Sequence, residues 1–107
     1  MIELLRYQDE AGHEPFTAWL DGLRDKVAQA RVRVRLRQVQ AGNFGDCESV
    51  SEGVIELRLH VGPGYRVYCG RRGKFVVILL SGGDKSSQAT DIKHAKALWL
   101  KWKSRQI

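Results

Sequence analysis

Residues Gln29-Ala-Arg-Val-Arg-Val-Arg-Leu-Arg-Gln-Val-Gln40, QARVRVRLRQVQ in one-letter form, alternate cation and hydrophobe for much of their length. A period of two makes them a half-buried β-strand with four arginines on one face. Propensity argues for a helix, because Ala, Arg, Leu and Gln all favour one. Length decides. Neither Gly nor Pro interrupts the chain from Arg24 to Ala41, and Gly42-Asn43 supplies a stop. A strand usually has only about 5–6 residues. On a helical wheel Ala28, Val32, Leu36 and Val39 form one apolar stripe. Leu23, Val27, Ala30 and Val34 form a second, nearly opposite, to meet the first helix or a protein partner. Arg31 and Arg35 lie between the stripes on one side, Arg33 and Arg37 on the other.

Upstream, Ile2, Leu4 and Tyr7 open a short strand over 1–7, closed by the polar turn Gln8-Asp-Glu-Ala-Gly12. Pro15 suits the first turn of a helix, and Phe16, Trp19, Leu20 and Leu23 follow at helical spacing, predicting a helix over 14–22. Asp21 or Asp25 then caps the next helix.

Downstream, 42–52 reads as a polar loop, after which clean alternation begins. Val54–His60 places Ile55, Leu57 and Leu59 on one face and Glu56, Arg58 and His60 on the other. After the Gly62-Pro-Gly64 turn, Tyr65–Cys69 puts Arg66 and Tyr68 opposite Tyr65, Val67 and Cys69. A turn at 71–74 leads to Phe75–Leu80, an apolar run expected to be buried on both faces. Ser81–Lys85 reads as a glycine-rich exit loop, and a last helix starts near Thr90. The order is β-α-α-β-β-β-α, an α+β domain over 1–107. Its small antiparallel sheet carries a helical hairpin on one face, leaving the other as a concave candidate site.

The totals narrow the class. A chain of 107 residues is one domain, and 43% hydrophobic with 28% charged residues marks it as globular. No apolar run approaches the roughly 20 residues that span a bilayer, so no membrane role is expected. The N-terminus lacks the basic flank and apolar core of a signal peptide. Cys47 and Cys69 form no CxxC pattern, and two free thiols fit a reducing cytoplasm. No spacing of His, Cys, Asp and Glu suggests a metal, and Ser81-Gly-Gly-Asp-Lys85 lacks the P-loop spacing, so no cofactor is expected.

Charge is unevenly distributed. The net charge is +6, yet residues 1–23 sum to −4, 24–41 to +5 and 81–107 to +4. Such asymmetry points to a polyanionic partner, nucleic acid above all. Across one hairpin Glu56, Arg58 and His60 share a face with Arg66 and Tyr68, and Lys85 follows the next strand. This cationic set suits metal-free cleavage of RNA, in which the substrate's own 2′-hydroxyl attacks the phosphate. The protein then supplies a base, an acid and cations for the developing charge. The structural alternative is a solvated salt-bridge face, with Glu56 pairing Arg58 or Arg66.

Three ordered segments carry a resemblance: Gly53-Val-Ile-Glu-Leu-Arg58 with Gly64-Tyr-Arg-Val-Tyr68, Val77 to Gln88, and Asp91-Ile-Lys-His-Ala95. Together they resemble the RelE/ParE toxin superfamily, in its HigB-like addiction-module branch, over nearly the whole chain. The resemblance implies the same β-α-α-β-β-β-α fold and the toxin of a type II toxin–antitoxin pair. It implies a ribosome-dependent mRNA endoribonuclease, active on mRNA and ribosomal RNA contacts, neutralised by a cognate helix-turn-helix antitoxin. Operator DNA is reached only through that antitoxin. The alternatives it carries are a ParE-like inhibitor of DNA gyrase, or a degenerate homologue that only binds its antitoxin. By position it assigns Arg58, Arg66 and Lys85 as catalytic, with Tyr65 and Tyr68 flanking. His60, Arg31 and Arg35 complete the expected RNA-binding set. The general base is left unassigned, because no C-terminal tyrosine corresponds.

Overall fold

A computed structural model describes residues 1–106. Five strands form one sheet in the order β1-β5-β4-β3-β2: β1 (Glu3–Arg6), β2 (Cys47–Ser49), β3 (Val54–Leu59), β4 (Tyr65–Arg72) and β5 (Val76–Asp84). Helices α1 (Pro15–Asp21) and α2 (Lys26–Gln40) follow β1, and α3 (Gln88–Ser104) closes the chain after a 3-10 turn at Lys85–Ser87.

The arginine-rich stretch is helical. Asp25 caps it, its Oδ1 accepting from Val27 N at 2.9 Å and Ala28 N at 3.1 Å, a bond pattern worth about 1 kcal/mol. Ala28 is buried, and Val32, Leu36 and Val39 pack in one core with Phe16, Leu20, Leu57 and Leu79. Each such large side chain contributes about 1.5–3 kcal/mol on burial. The second stripe divides. Leu23 folds back on the core, while Val27 and Val34 remain 60% and 42% exposed and α1 does not cover them.

Three expectations change. The sheet is mixed and not purely antiparallel, because the hairpin of helices delivers β1 to the far edge, where it runs parallel to β5 from Glu3↔Val76 to Arg6↔Leu79. The loop 42–52 contains a short edge strand, β2, whose residues are all exposed and carry no apolar alternation. Gly82 and Gly83 belong to β5 and not to a loop. A Cβ on Gly82 would lie 2.2 Å from the Trp19 ring, and one on Gly83 1.8 Å from Asp91 Oδ2. These glycines admit α1 and α3 to close contact, which is a strand use of glycine.

The second sheet face is also not open. Ile78 and Leu80 of β5 join Tyr7, Val54, Tyr68, Ala95, Leu98 and Trp99 in a second core beneath α3. The apolar run of β5 thus feeds both faces, Val77 and Leu79 going to one and Ile78 and Leu80 to the other. What stays open is one end of that face, beyond the N-terminus of α3.

Candidate functional site

Register builds this end of the sheet from two rows. Glu48 of β2 stands opposite Glu56 of β3, which stands opposite Tyr68 of β4. One step along, Arg58 stands opposite Arg66, and Arg66 opposite Gly83. Like charges directly opposed destabilise a sheet, so each row is held by its diagonal neighbours.

Glu56 is the hub, wholly buried at 0% exposure. Arg58 Nε donates to Oε1 at 3.0 Å. Tyr68 Oη and Gln88 Nε2 donate to Oε2 at 3.1 and 3.0 Å. Arg66 Nε lies 3.6 Å from the same oxygen, buried and without a hydrogen bond. Burial pushes the Glu56 carboxyl up, but the bonds from Gln88, Arg58 and Tyr68 outweigh it and hold the group below its ordinary range. The guanidinium of Arg58 reaches outward to an ion pair between Nη2 and Glu48.

Arg66 Nη1 donates to the Gly64 carbonyl at 2.8 Å. Gly64 has φ +82°, and a Cβ there would stand 3.3 Å from Arg66 Nη1 and 3.7 Å from Lys85 Cβ. The turn therefore brings Lys85 beside Arg66. Arg58, His60, Tyr65, Arg66 and Lys85 line one open cleft of about 380 Å³. His60 is exposed, its Nε2 2.5 Å from Asp46 Oδ2. The hydrogen bond from His60 holds the Asp46 carboxyl below its ordinary range. Tyr65 is half-buried, edge-on to Trp19 at 6.2 Å between ring centroids.

Two expected RNA contacts are corrected. Tyr68 is 0% exposed and donates inward to Glu56, so its ring offers no stacking surface. Burial first, then the Glu56 charge, pushes its phenol well above the ordinary range. Arg35 spends its guanidinium on backbone carbonyls, at 2.5 Å to Arg58 O, 2.6 Å to Asp46 O and 2.8 Å to Phe44 O. Arg31 is exposed in a neighbouring cleft of about 310 Å³ that shares Arg58, Leu59, His60 and Val61 with the first. Alternation missed Glu48, Asp46 and Gln88 altogether. The available signal was the lone acid, Glu56, set among cations on one strand face.

The fold and cleft define a small α+β protein presenting convergent cations on a buried carboxylate. The sequence matches the family described as Phage derived protein Gp49-like (DUF891) over residues 18–98, and the chain belongs to that family. It is a toxin-like family of phage and bacterial proteins related to addiction-module toxins. A Haemophilus influenzae relative described as an uncharacterized protein is 49% identical over 83 residues, spanning 78% of this chain and 84% of the relative. Among the described residues no helix is long and apolar enough to cross a membrane.

Proposed function

We propose that this protein is the toxin of a type II toxin–antitoxin pair, of the RelE/ParE type with HigB-like character, and cuts mRNA on the ribosome without a metal. The observation that carries the reading is the convergence of Arg58, Arg66 and Lys85 on one cleft beside His60 and Tyr65. In this reaction the 2′-oxygen of the substrate loses its proton and forms a bond to the adjacent phosphorus. The P–O5′ bond breaks, leaving a 2′,3′-cyclic phosphate and a 5′-hydroxyl that takes up a proton. The arginine forks and the lysine ammonium match the equatorial oxygens, whose charge rises in the transition state. His60, whose Nε2 lies 2.5 Å from Asp46 Oδ2, is the candidate in the cleft for proton transfer. Tyr65 borders the cleft as a flanking base contact, and Arg31 extends the cationic surface toward ribosomal RNA phosphates.

The partner that silences it is a cognate antitoxin, for which the exposed Val27 and Val34 on α2 offer an apolar contact. Inducing the protein and mapping transcript 5′ ends tests the reading. New ends at in-frame codons are expected, and Arg58→Ala with Arg66→Ala abolishes them together with growth arrest. Intact messages accompanied by an SOS response would instead identify a gyrase poison.

A further inference from the structure

Glu48 and Glu56 face one another across β2 and β3, and both carboxylates engage the single guanidinium of Arg58. In every other respect they differ. Glu56 is wholly buried and also accepts from Tyr68 and Gln88, so its departure would strand both donors. Glu48 has a side chain 58% exposed on a three-residue edge strand. Among the described residues its one polar side-chain partner is Arg58. The two bonds also use different atoms. Glu56 holds Nε, and Glu48 holds Nη2 on the outer side of the fork.

A carboxylate and a phosphodiester offer a guanidinium the same pair of acceptor oxygens. An exposed ion pair contributes so little that a phosphodiester can take its place. The buried bond at Nε is under no such exchange. We infer that Glu48 occupies the substrate-phosphate seat on Arg58 in the free protein and leaves it on binding, while Glu56 is the positioning residue that keeps Arg58 in place throughout. This deepens the ribonuclease reading and rests on it for the identity of the phosphate. Glu56 also offsets the repulsion between the opposed Arg58 and Arg66, so both forks stay aimed at one ligand.

The test uses inorganic phosphate as the probe and the arginine side-chain signals in ¹⁵N-edited spectra of the full chain. Phosphate should shift the Arg58 resonances saturably while its Nε–H signal persists. Glu48→Gln should tighten phosphate binding roughly two- to fivefold. Glu52→Gln makes the same charge change at a carboxylate paired with Lys96 at 3.5 Å and should not match it. In an Arg58→Gln background the Glu48→Gln gain should vanish. Glu56→Gln should retain the fold by circular dichroism but lose the slow exchange of Arg58 Nε–H. Equal effects of the Glu48 and Glu52 changes, or a gain that survives without Arg58, would overturn the inference. So would loss of the Nε–H signal on phosphate saturation of the unmodified chain. If these results hold while induction leaves messages uncut, the nuclease reading alone falls.

Discussion

Arg35 of α2 donates its Nη1–H to the backbone carbonyl of Arg58 at 2.5 Å, tying the arginine-rich helix to the strand that carries the cleft. The same guanidinium binds Phe44 O and Asp46 O, and so fixes the loop that presents Asp46 to His60. Hydrogen bonds from a charged donor contribute about 1.5–3 kcal/mol each when formed, less when water replaces them. Arg35→Ala should therefore destabilise by about 2–4 kcal/mol, measured as a fall in urea midpoint at constant slope. Arg33→Ala, an exposed change on the same helix, should stay within about 0.5 kcal/mol. Similar midpoints for the two variants would remove the clamp.

Glu56 gives the stability a pH dependence whose sign follows from its lowered pKa. The unfolded chain takes up the proton first, near the ordinary value of 4.5. The stability Glu56 confers is full above that value and is lost as the pH falls through the lower folded value. Glu56→Gln should flatten this acid limb. Glu56→Ala should cost about 3–5 kcal/mol at neutral pH, because it leaves Arg58 and Arg66 facing each other over a void. An unchanged acid limb in Glu56→Gln would assign the limb to other carboxylates.

Much of the architecture is legible in the residues. Length without Gly or Pro settles the run to Ala41, period two settles Val54–Leu59, and a short unbroken apolar run marks β5. Glu56 and Tyr68 show where pattern stops informing. Alternation places both on the face opposite Leu57, which is correct, yet nothing local says that α3 covers that face. Burial there depends on Trp99 and Leu98, about forty residues beyond Glu56 in the chain. β2 escapes for the opposite reason, since an exposed Cys-Glu-Ser segment has no apolar face to betray it.

Tyr68→Phe separates the structural role of this side chain from an RNA contact. It deletes one buried hydrogen bond to Glu56, at 3.1 Å, and leaves the ring packed under α3. A loss of about 0.5–1.5 kcal/mol in stability is expected, with RNA affinity unchanged. Weakened RNA binding at full stability would return Tyr68 to the cleft.

Gly82 reads as a loop residue in sequence, and its substitution tests the strand. The Trp19 ring fills the space a methyl would need, with ring atoms 2.2–2.6 Å from where the Cβ would stand. Gly82→Ala must push α1 off β5, an overpacking cost of about 1–3 kcal/mol. Trp19 emission should shift to the red as its half-buried ring gains water. A fully stable variant with unshifted emission would place Gly82 in a yielding loop.

The exposed apolar stripe on α2 carries the prediction about the partner. Val27 and Val34 stand one face away from the buried stripe and contribute nothing to either core. Val27→Asp with Val34→Asp should leave the urea midpoint within about 0.5 kcal/mol of the original. Growth arrest on induction should persist with Val27→Asp alone, because Val27 lines neither cleft, whereas Val34 borders the one that holds Arg31, Arg58 and His60. Neutralisation should fail. A co-expressed cognate antitoxin should bind at least about tenfold more weakly, equivalent to about 1.4 kcal/mol, since each aspartate must be desolvated against an apolar surface. Rescue of growth as complete as for the unmodified chain would move the antitoxin interface off this helix.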